Sequence, residues 1–116
     1  MEELLGEKEK PSWFSYPQEF SRVMDLGLVN LEPWIFIFGD ELKERLQGLQ
    51  SRYPDRHLVP FAKRIDNDDI VCWEKGEANA VFLIHDYASS GHEQRHRYDT
   101  FLMWYKSAID DMIYFE

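Results

Sequence analysis

Residues 58–74, LVPFAKRIDNDDIVCWE, constrain this chain more than any other stretch. Two short apolar runs, 58–62 and 70–73, flank a polar turn with carboxylates at Asp66, Asp68 and Asp69 and an amide at Asn67. β-Branched and aromatic residues on either side of an Asp/Asn cluster predict a β-hairpin. The connection is longer than the two-residue turns whose geometry follows from composition, so the turn type stays open. Asp66, Asn67, Asp68 and Asp69 then project together from one end of a sheet, either as a solvated loop or as a recognition edge. Pro60 sits inside the first run without the N–H that a ladder needs, which predicts an edge position or a bulge there.

With 116 residues, 44% of them hydrophobic and 16% aromatic, the chain is long and apolar enough for one globular domain. Its formal charge of −9 repels phosphate backbones, so nucleic acid is excluded as a partner, whereas a basic protein is favoured through electrostatic steering. The single cysteine, Cys72, cannot form an internal disulfide and is expected to pack as a small hydrophobe. No basic and apolar leader opens the sequence and no apolar run approaches ~18 residues. These absences predict a cytoplasmic protein with no membrane partner.

Taken in order, residues 1–11 are mostly charged, with Leu4 and Leu5 as apolar anchors, and predict a flexible N-terminal segment over 1–12 ahead of a single domain over 13–116. Pro17 reads as the first residue of a short helix with Phe20, Val23 and Met24 on its buried side and Gly27 as its stop. A continuous apolar run at 34–38 predicts a strand covered on both faces. Asp40 is the expected cap of a second helix whose stripe is Leu42, Leu46, Leu49 and Tyr53, weakened by Gly48 and ended by Pro54. After the hairpin, 80–85 predicts a further strand and 86–97 a polar loop. The last segment repeats Tyr98, Phe101, Leu102, Tyr105, Ala108, Ile109, Met112 and Ile113 at helical steps, with Asp99 as its expected cap. Met103 and Trp104 fall off that stripe and, with Phe115, are candidates for a dimer contact. Monomer and homodimer both remain open. Helices around an antiparallel meander predict an α+β fold with a twisted sheet of about four to five strands and flanking helices.

Three constellations invite chemistry. His92-Glu93-Gln94-Arg95-His96 matches H-E-x-x-H, which on a helix sets two histidines on one face for zinc, with the glutamate activating water and Glu116 as a third ligand. Its polar flanks argue against a buried helix. The 66–69 turn fails the calcium-loop pattern, because the position that needs glycine is Val71. Cys72, His85 and Asp86 form a nucleophile set only if the base reaches the thiol. No phosphate-binding glycine loop, nucleophile elbow or C-x-x-C pair is present.

The chain resembles the SUKH superfamily, which includes the yeast Smi/Knr-type cell-wall regulators and many small bacterial proteins. The resemblance is carried by Tyr16-Pro17-x-x-Phe20 leading to Leu26-Gly27, by Pro33-Trp34, by Val59-Pro60-Phe61-Ala62 with Asp68-Asp69 and Cys72-Trp73, and by Tyr98-x-x-Phe101-x-x-Trp104. It departs from the common pattern at Asn67-Asp68, where many members carry Gly-Asp. The resemblance implies an α+β fold, no catalytic activity, no cofactor, and the role of an immunity protein that neutralises a toxin, often a basic nuclease. On that expectation Asp66, Asn67, Asp68, Asp69, Trp73, Glu74, His85 and Asp86 form the partner-binding surface. The alternatives are a zinc metallohydrolase using His92, Glu93 and His96, and a regulatory scaffold with no toxin partner.

Overall fold

The computed structural model describes residues 4–6 and 8–115. One open antiparallel sheet of six strands runs in the order of the chain: β1 (Asn30–Leu31), β2 (Trp34–Phe36), β3 (Leu58–Arg64), β4 (Asp69–Glu74), β5 (Val81–His85) and β6 (Gln94–Tyr98). Three helices, α1 (Gln18–Asp25), α2 (Gly39–Arg52) and α3 (Phe101–Tyr114), complete an α+β domain. The expected four to five strands are thus six. β1 has only two residues, and β6 has the sequence QRHRY. With no alternation of apolar and polar side chains, β6 carries none of the pattern by which a strand is read, so it was expected to be loop. Its backbone pairs with β5 all the same.

Pro60 causes a bulge and not an edge. β3 lies inside the sheet, and its register with β4 shifts between Pro60 and Ala62, leaving Phe61 as the extra residue. The Phe61 ring then packs on Trp73 with centroids 4.4 Å apart, and on Phe20, Phe36, Phe101 and Trp104. α1 and α3 cover this face. Ile70, Cys72 and Ile84 alternate onto the other face, together with Leu58 and Phe82 in register with them. α2 packs there through Leu42, Leu49 and Tyr53, as its stripe predicts, with Leu46 half-buried.

Several helix details differ from expectation. Pro17 caps α1 from outside it, and Phe38 takes the cap position of α2, leaving Asp40 in the first turn, where a carboxylate still complements the helix dipole. The α3 cap is Thr100, whose side chain accepts from Met103 N at 3.2 Å; Asp99 instead meets Arg97 at 2.5 Å. α3 is also rotated relative to the expected stripe. Its buried residues are Phe101, Trp104, Tyr105 and Ala108, while Leu102 and Ile113 are exposed. Trp104 is 1% exposed and so is no dimer contact, whereas Met103 is 50% exposed. In the N-terminal segment Leu5 is buried, and its N–H donates to Tyr16 Oη at 3.2 Å.

Trp104→Ala should therefore lower stability by about 3–5 kcal/mol. Met103→Ala should change it by no more than about 0.5 kcal/mol. Urea unfolding of the two variants checks this, and equal losses would contradict the orientation of α3.

Candidate functional site

Three turns share one end of the sheet: β1–β2, β3–β4 and β5–β6. The β3–β4 turn exposes Asp66, Asn67 and Asp68 at its tip. Asn67 Oδ1 accepts the Asp69 N–H at 2.8 Å, the side-chain clasp by which asparagine holds a turn. Arg64 Nε donates to Asp66 Oδ1 at 2.7 Å. Asp69 turns inward, with Oδ1 3.0 Å from His85 Nδ1 and 3.7 Å from Arg95 Nε. Of the eight residues expected at the surface, these first four and His85 do gather at one corner.

The other three, Asp86, Trp73 and Glu74, do not belong to that surface. Asp86 is 0% exposed. Arg52 grips it with a two-pronged fork, Nε to Oδ1 and Nη2 to Oδ2, both at 2.7 Å, and Arg45 Nη1 reaches Oδ2 at 3.2 Å. The Tyr87 N–H completes the set at 2.8 Å. A buried carboxylate is tolerable only when matched in this way. Its charge in turn raises the Arg52 pKa through the hydrogen bond. Asp86 N also donates to Asp68 O at 2.9 Å, so the acidic turn is tied through Asp86 to α2. Tyr87 holds a left-handed φ of 69° and lays its ring 4.2 Å from the Arg52 guanidinium. Gly48 leaves room for this arrangement, since a Cβ there would stand 2.7 Å from Arg52 Nη1.

Trp73 is 3% exposed and belongs to the Phe61 cluster instead of the partner surface. Its indole N–H is buried without an acceptor, and the ring sits edge-on to Phe20 and Tyr16. Glu74 is half-buried and gripped by Arg56, with Nη2 to Oε1 at 2.8 Å and Nε to Oε2 at 2.9 Å. These three corrections share a cause: the side chains reach back to aromatic or guanidinium groups far away in sequence.

The zinc set does not assemble. Glu93 lies just before β6 and is 6% exposed; its Oε2 accepts from Arg56 at 3.0 Å and its Oε1 from Gly91 N at 2.7 Å. His96 is in β6 against the Tyr98 ring, 4.3 Å between centroids. His92 lies in the turn before β6, where its N–H donates to Ser89 O at 2.9 Å, and His96 lies within the strand, so the shared face of a helix is absent. Glu116 lies outside the described residues. Among the described residues no group of three His, Cys, Asp or Glu side chains is placed to hold a metal ion. The Cys72, His85 and Asp86 set fails on register, because Cys72 pairs with Phe82 on the α2 face and His85 pairs with Asp69 on the opposite one. Burial, followed by the charge of Asp86, pushes the Cys72 thiol pKa far up, which leaves it a poor nucleophile.

The arginines Arg45, Arg52, Arg56 and Arg64 were not anticipated as site residues, and spacing along α2 offers no signal for the acids they would meet. Compared with family models, curated proteins and solved structures, the chain matches none. No described helix is long and apolar enough to cross a membrane.

Asp86→Ala leaves two guanidinium groups without their shared anion and should cost about 3–5 kcal/mol in chemical denaturation. Glu93 gives a pH signature. Burial raises its pKa, but the hydrogen bonds from its own backbone, Arg56 and Gly91 outweigh this and lower it overall. A carboxylate with a depressed folded pKa stabilises fully above its unfolded value near ~4.3 and loses that contribution as pH falls through the folded value. Urea midpoints measured from pH 7 to pH 3 should therefore drop less steeply for Glu93→Gln than for the parent.

Proposed function

We propose that this chain is a non-catalytic protein-binding module: an immunity protein of the SUKH type that acts in the cytoplasm and neutralises a basic, nuclease-type toxin domain. The observation that carries this reading is the β3–β4 turn. It presents Asp66 and Asp68 to solvent on a backbone held by the Asn67 clasp and by the bond from Asp86 N to Asp68 O. A carboxylate pair on a braced turn meets a basic surface with little ordering cost, and the charge of −9 raises the encounter rate. Two further features support the assignment. Phe20, Phe61, Trp73, Phe101 and Trp104, which carry much of the resemblance, meet in one cluster, as residues that specify a common core would. Asp69 and His85 supply the neighbouring surface, paired to each other at 3.0 Å.

The test is association with a toxin domain encoded beside this gene. Asp66→Lys combined with Asp68→Lys should slow association roughly 10-fold or more at low salt and leave the thermal midpoint in place. Unchanged association would overturn the turn as the contact, and no binding by the parent chain would overturn the immunity reading.

A further inference from the structure

We propose that the outer edge of β6 is a docking edge for an extended acidic segment of another protein, which adds to the sheet as a seventh strand. The sheet is open, and among the described residues no strand pairs with β6 on its far side. The opposite edge ends in the two-residue β1, so β6 offers the longer free ladder. Free edges are templates for strand addition unless they are short, covered or charged against it. β6 is neither short nor covered: four of its five residues are exposed and Tyr98 is half-buried, and its pairing with β5 is interrupted only where Arg95 enters as an extra residue between Gln94 and His96.

Its charge selects the occupant. In a chain of −9, β6 contains two arginines and a histidine and no acid. Arg95 and Arg97 keep roughly half of their side chains exposed, and their acidic neighbours, Asp69 at 3.7 Å and Asp99 at 2.5 Å, both come from outside the strand. A second copy of this chain brings the same two arginines and no acid to the pairing, so it supplies no opposite charge. A strand with glutamates at alternate positions supplies it. The Arg97 N–H and C=O face the free side, because the alternation set by the bonds from Asp86 N to Asp68 O and from His85 N to Glu93 O directs the His96 backbone at β5 and that of Arg97 away from it. This edge adjoins the acidic turn at the Arg95–Asp69 pair, and its test does not involve a toxin.

The probe is an eight-residue peptide alternating glutamate with threonine or valine, titrated into the isotopically labelled full chain. Amide shifts should concentrate at residues 92–98, and the Arg95→Glu, Arg97→Glu double variant should bind roughly 10-fold or more weakly. A peptide of equal charge with prolines in place of the threonines and valines cannot form the ladder and should not bind. The proposal is overturned if the proline peptide binds equally well, if shifts are absent or scattered over the surface, or if sedimentation shows the free chain to be a dimer with its β6 amides already protected.

Discussion

The position of the Phe61 ring sets the arrangement of most of the other elements. Pro60 interrupts the ladder, the bulge inserts one residue, and that residue is an aromatic directed at the face where α1, β2, β4 and α3 converge. Its contacts with Phe20, Phe36, Trp73, Phe101 and Trp104 are mostly edge-to-face or tilted, the geometries in which ring quadrupoles attract by about 0.5–1.5 kcal/mol beyond the area buried. Because the two helices on this face touch one another only lightly, it is this shared ring cluster that orients them.

The α2 face is built on a different principle. Its apolar stripe is three buried side chains long, and the rest of its hold on the sheet is ionic: Arg45 and Arg52 converge on Asp86, while Arg56, just past the helix, bridges Glu74 and Glu93. These cations neutralise acids inside the domain, so the acidic excess of the chain is left at its surface. A buried pair of this kind adds little net stability over an apolar one, yet it fixes which turn meets which helix. Here it joins the β5–β6 turn to α2, and through Asp68 it braces the acidic hairpin tip.

The sequence by itself determined the hairpin, the α2 stripe and the acidic tip, and it narrowed Pro60 to an edge position or a bulge. Each of these follows from local chemistry: the missing N–H of proline, the helical period of leucines, and the turn preference of Asp and Asn. β6 was illegible because an edge strand exposed to solvent has no burial alternation to display. The face of α3 was misjudged because its period admits more than one stripe of similar apolarity, and only the ring cluster selects Trp104 over Leu102 and Ile113.

The site divides in the same way. Asp66, Asn67 and Asp68 were legible as exposed, since a hairpin tip projects beyond the packed faces of the sheet. For Trp73, Glu74, Asp86 and Glu93, tertiary structure decided, because their aromatic or guanidinium partners lie 12 to 59 positions away along the chain. Whether a carboxylate is a recognition group or a buried tether depends on a guanidinium arriving from another element. That arrival is a property of the packed helix and sheet, not of any local run of residues.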